Sequence, residues 1–248
     1  MTSADDKARL SVQGVTVRFG GNIALDDVTL AANPGCVTGL IGPNGAGKTT
    51  LFNVITGLLA PNAGIVTMND RNMTKLGPTR RARLGLARTF QRLELFSLLS
   101  VRENIRVAAD IRKGWSRDKD NPADAVEKII DRIGLRDVAD ARVDSLPTGQ
   151  CRLVELGRCL ATKPQVLLLD EPASGQDETE TAQFAVLLDE LAAEGMAVVL
   201  VEHDVRLVMD VCHTVNVLDF GRIIAVGTPE QIQQDPAVLA AYLGSTTP

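Results

Sequence analysis

The chain has 248 residues, 45% hydrophobic and 23% charged, which fits one large α/β domain with a sizeable core or two small domains. Its net charge of −5 excludes broad nucleic-acid binding, because phosphate neutralisation needs a basic face. No apolar run approaches the roughly 18 residues of a membrane-crossing helix, and the start (Met1 to Asp6) lacks the basic and apolar regions of a signal peptide, so a cytosolic chain is expected, with any membrane role carried by partners.

Residues 10–18 and 23–31 alternate as two strands would, with Phe19-Gly20-Gly21-Asn22 as the turn between them. The apolar run Val37-Thr38-Gly39-Leu40-Ile41 then leads into Gly42-Pro43-Asn44-Gly45-Ala46-Gly47-Lys48-Thr49, a full match to G-x-x-x-x-G-K-[ST]. Thr50 and the residues to 56 are helix-compatible, so the motif has the strand–loop–helix context that a P-loop requires. Its glycines let backbone N–H groups turn inward around an anion, and the helix N-terminus adds its positive dipole end. Lys48 can reach β- and γ-phosphates, and the Thr49 hydroxyl is placed to ligate Mg²⁺. A nucleoside triphosphate is the expected ligand.

Residues 64–68 predict another strand. The arginine-rich stretch 80–88 is expected to be a helix with a solvated face. From about 92 to 157 the pattern turns helical, at 101–109, 123–133 and 150–160, with a polar loop over 113–122. Two short apolar runs follow, Val166-Leu167-Leu168-Leu169 and Ala197-Val198-Val199-Leu200-Val201, of the kind buried on both faces of a sheet. Each ends in charged residues, Asp170-Glu171 and Glu202-His203, and ligands of open α/β sheets sit beyond such carboxyl ends. A helical insert within a P-loop α/β core is the predicted organisation. Cys36, Cys151, Cys159 and Cys212 are scattered without a C-x-x-C pair and are expected to be reduced, mostly buried thiols.

Asp170-Glu171 has the form of a Walker B strand end. The Asp can hold Mg²⁺ or its water, and the Glu can accept a proton from an attacking water. Many strands end in acids, so the pair alone is a weak signal; a complete P-loop roughly 120 residues upstream makes it a strong one. With these motifs in place the chain resembles the nucleotide-binding subunit of ATP-binding-cassette (ABC) transporters over nearly its whole length. Thr89-Phe90-Gln91 matches that family's Q-loop, and Leu146-Pro147-Thr148-Gly149-Gln150 occupies the signature position. Pro172 to Asp177 stands where the D-loop belongs, His203 matches the switch histidine, and Phe19 stands where an aromatic residue stacks on adenine.

The resemblance implies an α/β fold: a P-loop NTPase (RecA-like) core with an antiparallel β subdomain and an inserted α-helical subdomain. The core lobe would cover about 1–91 and 158–248, and the helical lobe about 92–157. It also implies roles. Phe19 would stack on adenine, and Gly42 through Thr50 would cradle the phosphates of ATP. Thr49, Gln91 and Asp170 would serve the metal, Glu171 would be the general base, and His203 would orient the water at the γ-phosphate. Gly149 and Gln150 would face the nucleotide of an opposing subunit, since two cassettes of this family sandwich two ATPs head to tail. His213 has no such match and reads as a satisfied structural histidine.

The sequence departs from the family pattern at two places. Pro147 replaces the usual Ser, losing a hydroxyl and a backbone N–H, and Thr148 replaces a residue that is usually Gly or aromatic. Gln176 stands where an apolar Leu is common. The segments Arg88-Thr89-Phe90-Gln91, Val101-Arg102-Glu103-Asn104-Ile105, Gly227-Thr228-Pro229-Glu230 and Ala241-Tyr242-Leu243-Gly244 resemble the branched-chain amino-acid uptake subfamily, which pairs two different ATPase subunits. The expected partners are therefore transmembrane permease subunits, a second ATPase subunit (identical or different) and, indirectly, a periplasmic or lipid-anchored solute-binding protein. The expected location is the cytoplasmic side of the membrane, as a peripheral subunit.

Other readings remain open at this point: the ATPase of another ABC transporter, such as a lipid or drug exporter, a soluble ABC ATPase, or a low-activity regulatory cassette suggested by Pro147. A P-loop kinase would lack the signature and Q-loop. Asp219-Phe220-Gly221 has a kinase-like spelling, but no H-R-D loop accompanies it, and a turn at a strand end explains it.

Overall fold

The computed structural model describes residues 8–243, with side chains described as far as 241. The amino-terminal six residues considered above, and Gly244 of the carboxy-terminal motif, lie outside the described residues.

The chain opens with a hairpin of β1 (Leu10–Phe19) and β2 (Asn22–Ala32), turning at Gly20-Gly21 as the alternation predicts. Then come β3 (Val37–Ile41), α1 (Lys48–Thr56), β4 (Ala63–Met68) and β5 (Arg71–Asn72). Next are α2 (Pro78–Arg83) and β6 (Leu86–Arg88), followed by three longer helices: α3 (Val101–Lys113), α4 (Pro122–Arg132) and α5 (Thr148–Ala161). After β7 (Val166–Asp170), α6 (Glu178–Ala193) and β8 (Ala197–Val201) come α7 (Val205–Val211), β9 (Thr214–Asp219), β10 (Arg222–Gly227), α8 (Pro229–Gln234) and α9 (Pro236–Leu243).

Two sheets organise these elements. An antiparallel sheet has the order β2-β1-β4-β5, and a mostly parallel one the order β10-β9-β3-β8-β7-β6. In the larger sheet β3, β8 and β7 are buried along their whole length, and period-2 alternation divides their side chains between two cores. Leu167, Leu169, Val198 and Leu200 join one core with residues of α3 to α7. Val166, Leu168, Val199 and Val201 join the other, with Leu51, Phe52 and Ile55 of α1 and the inner face of the antiparallel sheet. An all-apolar strand with no polar face therefore demands cover on both sides, and finds it.

Between residues 92 and 157 the β-pairing among described residues is a single isolated bridge, Ser100 to Arg142. Helix α3 starts at a capping box, Ser100 with Glu103, and α4 at an Asn121 cap with Pro122 behind it. Close packing of α5 on its neighbours requires Gly157, where a Cβ would stand 2.9 Å from Ile133 and 3.0 Å from Ile105. Of the four cysteines, Cys151 and Cys212 are buried and Cys36 and Cys159 half-buried, so the expected burial holds for two of them; burial pushes the Cys212 thiol up to about 12. His213 is a satisfied histidine, its Nδ1 accepting from the Val37 N–H at 3.2 Å.

The stretch 80–88 is not the solvated helix expected. Helix α2 stops at Arg83, Gly85 turns the chain with φ 98°, and residues 86–88 add a sheet strand, Leu86 pairing with Val166. Arg81 is only 1% exposed. Its guanidinium donates to the carbonyls of Val54 and Ile55, both at 2.6 Å, Leu76 at 2.8 Å and Thr74 at 2.9 Å. The last carbonyls of a helix have no intrahelical donor, so a cation there satisfies them and opposes the dipole of α1. Burial holds the Arg81 pKa down to about 10. Arg81→Met removes a donor from four carbonyls, of which Val54 keeps the Gly57 N–H, and urea unfolding should show a loss of about 3 kcal/mol or more, since each orphaned buried acceptor costs roughly 1–3 kcal/mol.

Candidate functional site

The site forms where β3, β7 and β8 end. Beyond Ile41 the chain turns at Gly42, with φ 151°, where a Cβ would fall 1.9 Å from the Leu218 carbonyl oxygen; no other residue fits. Gly47, with φ 114°, launches α1, whose first turn carries no acidic residue, so its N–H groups keep their affinity for an anion. Lys48 is 8% exposed, and its Nζ donates to the Gly42 carbonyl at 2.5 Å and the Pro43 carbonyl at 2.9 Å. Burial lowers the Lys48 pKa, opposed by the charges of Glu171 and Asp170.

Glu171 follows β7 directly and takes a left-handed backbone, φ 51°, rare for a non-glycine residue and held by its N–H bond to the Val201 carbonyl at 2.8 Å. Strain of this kind costs about 1–3 kcal/mol and collects at functional sites. One carboxylate oxygen, Oε1, accepts from Gln91 Nε2 at 3.2 Å and lies 2.7 Å from His203 Nε2. Three residues distant in sequence thus converge on one atom. They line a cleft of about 270 Å³ with Asn44, Gly45, Ala46, Gly47, Lys48, Thr49 and Thr50.

The remaining sequence-predicted residues lie elsewhere. Gly42 and Pro43 form the turn behind the cleft, and Phe19, 54% exposed, ends β1 without lining it. Asp170 ends β7, 2% exposed, and does not line the cleft, and Gly149 and Gln150 begin α5. The α5 start packs on its own chain: a Cβ at Gly149 would meet Gln176 at 3.1 Å, and one at Gly175 would meet Thr148 at 2.9 Å. Pro147 precedes the first helical residue, so the N–H it lacks is not one of the helix's first-turn donors.

The Thr49 hydroxyl, the Gln91 amide oxygen and the Asp170 carboxylate are hard oxygen donors. Among the described residues no group of three or more His, Cys, Asp or Glu would hold a metal unaided. Such a donor set fits Mg²⁺, which is usually held by one or two carboxylates, with phosphates and water completing its shell.

Several residues of this region escape sequence reasoning. Arg88 donates to Asp170 Oδ2 at 2.8 Å, and the Thr89 hydroxyl accepts the Asp170 N–H at 3.1 Å. Buried Arg152 of α5 donates to the Phe90 carbonyl at 2.6 Å, to the Gln91 carbonyl and to Glu155, so the backbone at Gln91 is fastened to α5. Glu202 accepts from the N–H groups of Ala173 at 2.8 Å and His203 at 3.0 Å, joining the turn after Glu171 to the histidine. Burial pushes the Glu202 carboxyl up, against those bonds. A buried charge beside a motif is a signal only once its partners are known, because an arginine in a basic stretch reads as solvated.

Residues 25–174 match the family model described as ABC transporter, and residues 222–246 one described as branched-chain amino acid ATP-binding cassette transporter. The chain is 39% identical, over 95% of its length and 97% of the relative's, to the high-affinity branched-chain amino acid transport ATP-binding protein LivG of Escherichia coli strain K12. It is 33% identical, over 96% and 98%, to the lipopolysaccharide export system ATP-binding protein LptB of the same organism. Among solved structures it is similar to the ADP conformation of MJ1267, an ATP-binding cassette of an ABC transporter, with 30% identity, a TM-score of 0.85, and coverage of 96% of this chain and 99% of that one.

Proposed function

As the chain belongs to the ABC transporter family as an ATP-binding subunit, we propose that it binds ATP with Mg²⁺ in this cleft and hydrolyses it to drive uptake of a branched-chain amino acid. The convergence of Lys48, Gln91, Glu171 and His203 on one cleft is the observation that carries the reading. Lys48 and the N-terminus of α1 bind the phosphates, and Thr49, Gln91 and Asp170 would hold the metal. Bound Mg²⁺ would neutralise charge developing on the β- and γ-phosphate oxygens. Glu171 takes the proton of the attacking water, its rotamer held through Oε1 by Gln91 and His203. His203 orients that water at the γ-phosphate, and Phe19 stacks on the adenine.

A second ATPase subunit, identical or different, is part of the reading. The first turn of α5, with Gly149 and Gln150, does not line its own chain's cleft and would complete the site of the partner. Residues 92–157 act as a helical lobe and the rest as the core lobe, with α5 packed on both. A mainly apolar groove of about 310 Å³, lined by Leu58, Pro78, Leu86, Phe90 and Ala108 among others, opens beside the segment leading to Gln91 and suits a permease subunit. No helix of the described residues is long and apolar enough to cross a membrane, so attachment at the cytoplasmic face falls to that permease, with the solute-binding protein acting through it. The similarity to LptB keeps a different solute as the second reading; the match over 222–246 favours a branched-chain amino acid.

Lys48→Ala tests the nucleotide site. Loss of its charge-assisted bonds, about 1.5–3 kcal/mol, should weaken ATP binding by roughly 10- to 100-fold in calorimetry. Unchanged affinity would reject the cleft as the ATP site. The solute is tested in vesicles holding the full transporter: hydrolysis there should rise with leucine, isoleucine or valine outside, and indifference to all three would reject that solute class.

A further inference from the structure

Arg88 closes β6, and both terminal nitrogens of its guanidinium are bonded. Nη2 donates to Asp170 Oδ2 at 2.8 Å, and Nη1 to Asn53 Oδ1 of α1 at 2.7 Å. The Phe52 ring lies 5.2 Å from the guanidinium carbon and the Phe90 ring 4.9 Å. Both charged side chains are buried, 5% exposed for Arg88 and 3% for Asp170. Arg88 Nε is buried without a hydrogen-bond partner, so the group is not optimised for its own satisfaction. Burying an ion pair seldom gains stability over packed apolar residues, because desolvation offsets the attraction. What such a pair does supply is orientation.

We propose that Arg88 is a positioning residue for the Asp170 carboxylate and, through it, for the divalent metal that enters with ATP. The inference rests on Asp170 serving the metal, as under the proposed function. Bonded at two nitrogens and set over two aromatic rings, the planar guanidinium is held in orientation, and Oδ2 of Asp170 is fixed by it. Thr89, the next residue, holds the backbone N–H of the same aspartate, so neighbouring residues fix both its carboxylate and its main chain. Phe90 stacks on Arg88 and precedes Gln91, and Asn53 belongs to the helix that carries Lys48. The carboxylate is thereby registered against the P-loop helix on one side and the Gln91 segment on the other. A lysine would keep the charge but lose the fork and the stacked plane.

The test measures ATP affinity of the full-length protein by calorimetry, in EDTA and across a Mg²⁺ titration, with a thermal melt of each variant. For Arg88→Lys the Mg²⁺ concentration that half-restores ATP affinity should rise about tenfold, and for Arg88→Met up to roughly a hundredfold, as for loss of partners that orient metal ligands. In EDTA the affinity of both variants should stay within about twofold of the unmodified protein, since the phosphate cradle is intact. Should Arg88→Met not fold, Arg88→Lys and Asn53→Ala carry the test; the latter frees one side of the fork and should raise the Mg²⁺ midpoint by a smaller factor. An unchanged midpoint in the folded Arg88 variants overturns the proposal. So does an equal loss of ATP affinity with and without metal, which would make Arg88 a support of α1 only. Asp170→Asn separates the premise: an unmoved Mg²⁺ midpoint there rejects Asp170 as a metal-side group, and the proposal falls with it.

Discussion

Glu171→Gln is expected to keep ATP binding and lower steady-state hydrolysis by roughly 10²- to 10⁴-fold, the usual share of a positioned general base. The amide has the volume of the carboxylate and can still accept from Gln91 through Oε1, so the contact at 3.2 Å survives. What it lacks is basicity. The left-handed backbone at this position is held by the Val201 carbonyl and does not depend on the side chain, so the fold should be untouched. Retained ATP with stalled hydrolysis also predicts a long-lived pair of subunits, visible by size-exclusion chromatography in the presence of ATP. The rate is measured with the full partner complex; hydrolysis at the unmodified rate would remove Glu171 from the role of base and point to another acceptor of the proton.

Pro147→Ser is expected to raise turnover about tenfold at the nucleotide site that this α5 would complete in the opposing subunit. A hydroxyl directed at the γ-phosphate makes a charge-assisted bond worth roughly 1.5–3 kcal/mol, and about 1.4 kcal/mol of it realised in the transition state is one decade in rate. Pro147 stands just before the first helical residue, so the N–H groups of Thr148, Gly149 and Gln150 remain as first-turn donors, and α5 has no side-chain cap. Serine would add such a cap, worth about 1 kcal/mol of helix stability, which a melting curve reads separately. Pro147→Ala divides the effect, since it restores the N–H without a hydroxyl. The two variants are assayed alone and with the second ATPase subunit. If the protein acts as a homodimer both sites carry the defect, and the gain appears without a partner. No change or a fall in turnover in Pro147→Ser relative to the unmodified protein would show that the loop is adapted to proline and that the two sites need not differ; equal gains in both variants would assign the effect to the N–H.

The difference between these predictions and the Arg88 test lies in how far apart the participating residues are in the chain. The P-loop is local: eight residues running from the end of a strand into the first turn of a helix, with glycines at the turns, contain nearly all the information that shapes them. The same holds for the apolar strands ending in Asp170-Glu171 and Glu202-His203, whose complete burial follows from having no polar face. Gln91 and His203 are legible for another reason. Their spacing resembles a known family, while nothing local says that both side chains would meet at one oxygen of Glu171.

Residues 80–88 mark where local reasoning stops. Read as a run of charge, Arg81 and Arg88 belong in water, since a lone cation pays heavily for burial. Each is buried because its partners come from elsewhere: the carbonyls closing α1 lie 26 and 27 residues from Arg81, and Asp170 lies 82 residues from Arg88. By itself the sequence determined the fold class, the P-loop and the acids at the strand ends, because short-range backbone sterics and hydrophobic periodicity dictate them. Only the tertiary structure decided which buried charges are neutralised, which oxygen of Glu171 is shared, and that the start of α5 stands apart from its own cleft. Those outcomes depend on groups brought together by packing, and the electrostatic cost of a buried charge is settled by whatever the fold sets beside it.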